Sequence, residues 1–232
     1  VHAPIRSKIF GTVYSLLMKK MYENVKLVLT STSRNAQYVL RHGIENIRII
    51  PLWADSFFSP KQNMFKREKY VLNVCVVDEY HTYKNYPMLS RLGKFLRNAY
   101  NIELIHVGIH DFKLPYVNHI GVVSRAKLRM YYQNAILSIL PSKGSYEGFG
   151  IVATEALACG TPVLVSDDCG ISEYLTDEFV TTLGDFERKL AYMIEELINN
   201  PRELVQKAFD ESKKFGYQNC IRVANEIICL TA

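Results

Sequence analysis

Residues 140–166, with the sequence LPSKGSYEGFGIVATEALACGTPVLVS, decide the fold. A short apolar strand ends at Pro141-Ser142, and a small polar loop containing glycines follows it. Residues 151–159 have the spacing of a helix, and Gly160 is suited to end it. Thr161-Pro162 then leads into a second apolar strand. A strand, a glycine-rich turn, a helix and a second strand, in that order, are typical of a parallel α/β sheet.

Short apolar strands alternate with helical stretches along the rest of the chain. The strand runs are rich in β-branched residues and almost continuously apolar, which predicts that both faces of the sheet are buried. Their alternation with helices predicts right-handed crossovers and a doubly wound parallel α/β fold. The predicted strands are Val25–Thr30, Ile47–Pro51, Tyr70–Val77, Ile102–Gly108, Val117–Val123, Ala135–Pro141, Pro162–Ser166 and Phe179–Leu183, and three closing helices are predicted at Asp185–Asn199, Pro201–Phe215 and Tyr217–Leu230.

An uneven division of the chain is predicted between residues 65 and 66. The stretch 52–69 has clustered aromatics, a proline and then charges, without a clear period. Residues 1–65 are therefore expected to form a partial N-terminal α/β segment with a linker, and residues 66–232 a complete Rossmann-like domain with C-terminal helices. The helix predicted at 4–22 carries lysines beside apolar residues. It either packs on a sheet with a solvated basic face or lies on a membrane surface.

Composition and charge exclude several classes of protein. The chain has 232 residues, 48% of them apolar and 22% charged, which argues against wholesale disorder. No apolar run approaches the ~20 residues of a membrane helix, and no signal-peptide pattern is found. The five cysteines form no CxxC pair, which disfavours a disulfide framework or a zinc site and favours a reducing, cytoplasmic location. The formal charge of +5 suits an anionic partner.

Three further functions lack the patterns they need. No G-x-G-x-x-G follows the first strand of the larger domain, where the chain reads Val76-Val77-Asp78-Glu79, so a dinucleotide oxidoreductase is not expected. Nucleic-acid binding has only the mild positive charge in its favour. His106 and His110 have a metal-binding spacing for a helix, but they end a strand-like run, so no metal site is expected.

The glycine-rich turn carries the chemistry that the sequence offers. It lies at the carboxyl end of a predicted parallel strand and opens a helix, where free backbone N–H groups and the helix dipole favour an anion such as phosphate. Glu147 and Glu155 flank the turn, and carboxylates accept hydrogen bonds from sugar hydroxyls. In the alternative reading, Glu147 is a charge at the helix start and Glu155 a solvated helix residue. The apolar residues around Glu155 disfavour that alternative.

These residues resemble a known signature. An acidic residue before a glycine-rich turn, a second Glu eight positions later and an A-x-G-x-P-V run are similar to the retaining nucleotide-sugar glycosyltransferases of the GT-B fold, specifically glycosyltransferase family 4. Here the acidic residue is Glu147, the turn is 148–150, the second carboxylate is Glu155 and the run is 158–163. The resemblance therefore implies a Rossmann-like donor domain, preceded by a reduced part of an acceptor domain.

The resemblance extends beyond the signature. The stretch 120–123, IGVV, looks like the family's loop beside the nucleotide base, and Ser142 matches the serine of its P-S pair. Lys84 looks like the lysine that follows the first strand of the donor domain. Pro51, Asp55, Phe58 and Pro60 resemble the stretch between the domains. His2 belongs to an H-x-P resembling one in the acceptor domain of some members.

The resemblance implies a role for each of these positions. Glu147 would hold a hydroxyl of the transferred sugar and Lys84 would neutralise the diphosphate, which makes these two the expected catalytic residues. Transfer would be retaining and metal-independent, with no cofactor beyond the nucleotide-diphosphate sugar. His2 would lie on the acceptor side. The expected donor-binding residues are Glu155, Gly148, Phe149, Gly150, Ile151, Val122, Val123, Arg125 and Ser142.

Two departures from the family pattern matter. Members usually place an Arg five residues before the lysine, where this chain has Glu79, and a carboxylate opposes a diphosphate if it lies close. Arg125 or His81 are candidates to substitute for that charge. Family members also have two domains of similar size, so the chain is expected to be a fragment or a naturally reduced enzyme. A reduced enzyme would self-associate, as a dimer for example, through the first ~65 residues to cover exposed strands.

Two alternatives to a transferase stay open at this point. One is a nucleotide-sugar-binding module that does not transfer, and the other is a GT-B nucleotide-sugar epimerase. The base and sugar of the donor are not specified by these motifs. The acceptor, which could be a sugar, a lipid-linked sugar or a protein, is not specified either.

Overall fold

In a computed structural model of the chain, residues 16, 17, 20 and 25–231 are described. They contain eight strands: β1 Val28–Thr30, β2 Ile47–Ile49, β3 Glu68–Val74, β4 Glu103–Val107, β5 Val117–Gly121, β6 Ala135–Leu140, β7 Val163–Ser166 and β8 Val180–Thr181. The α-helices with assigned bounds are α1 Ser33–Leu40, α2 Tyr86–Tyr100, α3 Arg125–Asn134, α4 Ile151–Ala158, α5 Phe186–Asn199, α6 Pro201–Ser212 and α7 Tyr217–Thr231. Short 3-10 turns lie at Thr82–Lys84, Gly170–Glu173 and Lys213–Phe215.

The strands form two parallel sheets. β1 pairs with β2, and the other six strands are arranged in the order β5-β4-β3-β6-β7-β8, with every pair parallel. The predicted α/β fold is therefore confirmed, and each strand overlaps its predicted run. The chain moves from β3 outward to β4 and β5 and then returns to the other side of β3 with β6. This reversal creates a topological switch point between β3 and β6, where open α/β sheets bind ligands.

Burial explains why the central strands are so apolar. Every residue of β6 and of β7 is buried, because helices cover both faces of the sheet. On α2, the residues Leu89, Leu92 and Leu96 recur at helical spacing and are completely buried. Each such leucine stabilises the fold by roughly 1.5–3 kcal/mol through burial of its side chain.

The segment between the two sheets packs partly against the larger one. Phe58 is 5% exposed, and its ring centroid lies 5.8 Å from that of Tyr132 in an edge-to-face contact. The stretch expected to be a linker thus contributes to the core of the six-stranded sheet, and the division between residues 65 and 66 stays a prediction. His2 and most of the predicted helix at 4–22 lie outside the described residues. Across the described residues, no helix combines the length and the apolarity needed to cross a membrane.

Candidate active site

The switch point brings Lys84 and Glu147 together. Lys84 ends the 3-10 turn that follows β3, and Glu147 lies in the loop that follows β6. Since β3 and β6 are neighbours, their carboxyl ends open onto the same crevice. A hydrogen bond of 2.8 Å from the Lys143 N–H to the Tyr83 carbonyl ties the two loops to each other.

Lys84 and Glu147 form an ion pair that is largely shielded from water. Lys84 Nζ donates to Glu147 Oε2, and the two side chains are 16% and 13% exposed. Burial lowers the pKa of Lys84, but the charge of Glu147 and its hydrogen bond outweigh burial and raise the pKa above its ordinary value. Ser142 Oγ lies 3.5 Å from the same Glu147 oxygen. The pair therefore offers a cation and a carboxylate side by side, both fixed in place.

The glycine-rich turn is held against the segment that follows β7. Gly170 N–H donates to the Glu147 carbonyl at 3.0 Å, and Ile171 N–H donates to the Phe149 carbonyl at 2.6 Å. Phe149 is 3% exposed, so its ring anchors the turn in the core. Gly150 has φ = +97°, and a Cβ there would lie 2.9 Å from Cys169 Sγ. Only glycine fits that backbone and that spacing.

The turn also carries backbone donors. Within the part of the chain that the structure describes, the N–H groups of Phe149, Gly150 and Ile151 have no hydrogen-bond acceptor. Ile151 begins α4, so these donors lie at the positive end of that helix dipole. Gly160 has φ = +72° just beyond the other end, where its N–H and that of Thr161 close the last turn as predicted. The donors suit the oxygens of a sugar or a phosphate.

Glu155 is the second carboxylate of the site. It lies half-buried on α4 and accepts a hydrogen bond of 3.0 Å from the hydroxyl of the fully buried Tyr132. Burial raises the pKa of Glu155, against the opposing effects of the Tyr132 hydrogen bond and the charge of Arg125. The alternative of a solvated helix residue therefore does not describe Glu155. The carboxylate keeps one oxygen free of Tyr132 and able to accept hydrogen bonds from ligand hydroxyls.

The segment after β5 presents the residues expected beside a base. Val122 is 74% exposed, and Val123 is half-buried. Ser124 accepts a hydrogen bond from the Lys127 N–H at 3.3 Å and so begins α3. Arg125 follows it, and its guanidinium lies 3.1 Å from Asp55.

The two residues considered as substitutes for the usual arginine already have acidic partners. Arg125 pairs with Asp55, and His81 Nδ1 lies 2.8 Å from Asp78. Glu79 itself is exposed in the loop after β3. The structure therefore places neither side chain as a direct replacement for the arginine beside Lys84.

Sequence reasoning missed the contacts made by the start of α1. Asn35 Nδ2 lies 3.4 Å from the Gly148 carbonyl, to which it donates. Glu173 accepts hydrogen bonds from the N–H groups of Ser33 and Arg34, at 2.7 and 3.2 Å, and also from the Ser33 hydroxyl. The first turn of α1, the helix of the smaller sheet, therefore contacts the glycine-rich turn. Glu173 follows β7 at the same edge of the sheet, which is the signal that could have identified it.

Two other positioning residues were also missed. Tyr132 fixes Glu155, as described above. Asp168 accepts hydrogen bonds from the Gly144 N–H at 2.8 Å and from the Ser145 hydroxyl at 3.1 Å. These bonds hold the loop that carries Glu147. Asp168 belongs to the polar run that directly follows a predicted buried strand, a position at which side chains reach the ligand edge.

Curated relatives match about half of the chain. O-antigen chain mannosyltransferase B of Escherichia coli is 29% identical over 108 residues, which are 45% of this chain and 28% of that protein. D-inositol 3-phosphate glycosyltransferase of Paenarthrobacter aurescens strain TC1 is 29% identical over 134 residues, which are 51% of this chain and 32% of that protein. The matched region thus spans about a third of the length of these relatives.

A solved structure shares the fold. The HepE protein of Anabaena, crystallised with UDP-glucose, superposes with a TM-score of 0.72 at 15% identity, covering 96% of this chain and 69% of that one. The expected GT-B type of α/β fold is thereby confirmed. The family described as Glycosyl transferases group 1 matches residues 58–215, well over half of the chain. The chain belongs to the group 1 glycosyl transferases.

Proposed function

We propose that the chain is the donor-binding part of a glycosyltransferase that moves a sugar from a nucleotide-diphosphate sugar to an acceptor. One observation carries the proposal. At the switch point of the sheet, the Lys84–Glu147 pair lies beside the free N–H groups of a glycine-rich turn. A cation and backbone donors suit the diphosphate, and a carboxylate suits a sugar hydroxyl.

Each part of the donor has a proposed partner. Glu155 binds the ribose hydroxyls through the oxygen that Tyr132 leaves free, and Glu147 accepts from a hydroxyl of the transferred sugar. Lys84 and the backbone donors of 149–151 bind the diphosphate. The backbone at Val122 and Val123 contacts the base. Ser142, 3.5 Å from Glu147, supports the orientation of that carboxylate.

Catalysis follows from where charge develops. As the bond between the anomeric carbon and the diphosphate breaks, negative charge grows on the leaving oxygen, which Lys84 and the N-terminal end of α4 stabilise. The leaving phosphate oxygen takes the proton of the acceptor hydroxyl, so no protein base is required. Attack from the face that the diphosphate leaves retains the anomeric configuration. This transfer step is proposed to need no metal ion.

A UDP-hexose is the first donor to test, since the HepE structure of the same fold holds UDP-glucose. The acceptor is proposed to be a sugar, a lipid-linked sugar or a protein. Self-association through residues 1–65 also remains a proposal. Its test is the molar mass in solution, and a strict monomer with intact stability would remove it.

A nucleotide-sugar-binding module without transfer is the second candidate. It is favoured by the charges around the expected diphosphate site. Glu79 stands where the family has an arginine, Lys84 is paired with Glu147, and His81 and Arg125 are each paired with an aspartate. Little uncompensated positive charge is then left to stabilise a leaving diphosphate.

A donor screen separates these functions. The chain is titrated with UDP-glucose, GDP-mannose and ADP-glucose by calorimetry, and release of the nucleoside diphosphate is followed in parallel. Binding with release supports the transferase. Binding without release, even with simple sugar and lipid acceptors present, supports the binding module. Failure of all three donors to bind contradicts both.

A further inference from the structure

Three histidines lie close together at the edge of the larger sheet that β4 and β5 form. His106 on β4 and His119 on β5 are paired in register, and His110 lies in the turn between these strands. The ring centroid of His119 lies 5.0 Å from that of His106 and 4.6 Å from that of His110. One nitrogen from each ring lies within 4.8 Å of the other two. The spacing of His106 and His110 alone did not predict a metal site, because the third histidine, His119, comes from the neighbouring strand.

His106 presents a lone pair toward this cluster. The side chain is completely buried, and its Nδ1 lies 3.1 Å from Asn73 Oδ1. Asn73 donates its own amide hydrogen to the Ile139 carbonyl at 3.0 Å, so its Oδ1 must accept from His106. The proton of His106 is therefore on Nδ1, and Nε2 is left as an acceptor. Among the described residues, this buried Nε2 has no hydrogen-bond partner.

His119 has a second nitrogen in the same situation. Its Nε2 accepts a hydrogen bond of 2.9 Å from the Leu114 N–H. Its Nδ1 is buried and, within the described part of the chain, also has no partner. Two buried ring nitrogens without partners are costly, since each loses its hydrogen bonds to water. Such atoms in a native protein need an explanation, and a bound ion is one that fits two ring nitrogens close together.

We propose that His106, His110 and His119 bind a divalent transition-metal ion of the zinc type. Imidazole nitrogens suit Zn²⁺, Co²⁺ and Ni²⁺, and three protein nitrogens with a water molecule complete a tetrahedral set. Asn73 acts on the site as an outer partner, because it fixes the tautomer and the orientation of His106.

Binding has two structural costs. Zn–N bonds of about 2.0–2.1 Å place tetrahedral ligand nitrogens about 3.3 Å apart, so the rings must close in by side-chain rotation. Coordination through His119 Nδ1 also moves the proton of that ring, and the Leu114 N–H then loses its acceptor. Lys113 adds positive charge near His119. These costs predict a site that takes up its ion reversibly.

The ion would connect β4, β5 and the turn between them. Gly108 N–H donates to the Gly121 carbonyl at 3.1 Å, directly before the exposed Val122. An ion at the three histidines is therefore positioned to stabilise the edge of the sheet that precedes Val122 and Val123. Its role is structural and separate from the transfer step, and its binding does not depend on the proposed function.

Cobalt provides the direct test. Chelator-treated, tag-free chain is titrated with Co²⁺, and the visible absorption of the ion is recorded with calorimetry. We expect one ion per chain and a spectrum of nitrogen ligation. We expect His106→Gln and His110→Gln each to weaken binding at least about tenfold, whereas His42→Gln, outside the cluster, binds as the parent does. No binding by the parent, or equal binding by the cluster variants, overturns the proposal.

A second measurement distinguishes coordination from a loosely held surface ion. His110 is only half-buried, so His110→Gln keeps the test valid if His106→Gln fails to fold. In parent protein saturated with Zn²⁺, hydrogen exchange of the Leu114 amide is expected to be faster than without the ion. Unchanged exchange at saturation overturns His119 as a ligand.

Discussion

Lys84 and Glu147, 63 residues apart in the chain, form an ion pair at the point where the order of the strands reverses. Each side chain satisfies the other in a place that is largely shielded from water. A buried ion pair is seldom the most stable choice, because desolvation of the charges offsets much of their attraction. Its position at the ligand edge points to function rather than to stability.

The first prediction concerns the coupling of this pair. Lys84→Met leaves the Glu147 carboxylate shielded and unpaired, which costs about 3 kcal/mol of unfolding free energy. The double variant Lys84→Met/Glu147→Gln removes both charges and recovers part of this loss. Urea unfolding of the parent, Lys84→Met, Glu147→Gln and the double variant should give an interaction energy of about 1–3 kcal/mol. Simple additivity would show that the pair is not formed in solution.

The second prediction concerns Glu147 in the reaction. Glu147→Gln keeps the size of the side chain but removes the charge that balances Lys84 and that is proposed to accept from the sugar hydroxyl. We expect release of nucleoside diphosphate to fall about 100-fold or more. Glu45→Gln, an exposed change in the loop before β2, is the matched control and should keep full activity. Equal rates for both variants would remove Glu147 from the site.

The third prediction concerns the stability of the fold as a function of pH. Burial raises the pKa of Glu155 above its ordinary 4.5, so the unfolded chain loses this proton at lower pH than the folded one. The parent therefore loses stability as pH rises from about 4.5 through the raised pKa of Glu155, and the loss is complete above it. Glu155→Gln does not titrate, so its advantage should grow over that window and then stay constant.

Chemical denaturation of both proteins between pH 4 and pH 7.5 checks this. The same variant should bind the donor more weakly, because Gln is a poorer acceptor for the ribose hydroxyls. A stability difference that shifts in favour of the parent as pH rises over this window would contradict the sign of the shift. It would mean that the charge of Glu155 is stabilised in the folded chain.

The fourth prediction concerns the backbone of the turn. Gly150→Ala forces a side chain into a conformation with φ = +97° and places its Cβ against Cys169. We expect a loss of about 1–3 kcal/mol of unfolding free energy and weaker donor binding. Gly184→Ala has an ordinary backbone and a nearest neighbour at 3.7 Å, so it should change stability by less than about 0.5 kcal/mol. Similar effects of both substitutions would argue against a strained turn.

The fold could be predicted because its signals are local. Continuous apolar runs identified all eight strands, and Gly160 identified the end of α4. The ends of the strands were less certain: β3 stops at Val74, and Val77 makes only an isolated bridge to His110. Strand ends depend on which neighbours are paired, and this pairing is not encoded in one segment.

The candidate site could be predicted only in part, for a related reason. Glu147, Glu155 and the turn lie within nine residues, so one motif contains them. Glu173 and Asn35 reach the same turn from distant segments, and only the sheet order brings them there. His119 likewise joins His106 through strand pairing, which spacing along the chain does not reveal.

The most direct test of the account is the crystal structure of the chain with its bound donor, beginning with UDP-glucose. The account predicts ribose hydroxyls at about 2.7 Å from the Glu155 carboxylate, with the diphosphate between Lys84 and the N–H groups of 149–151. A donor bound elsewhere on the chain, or one whose ribose does not touch Glu155, would contradict it.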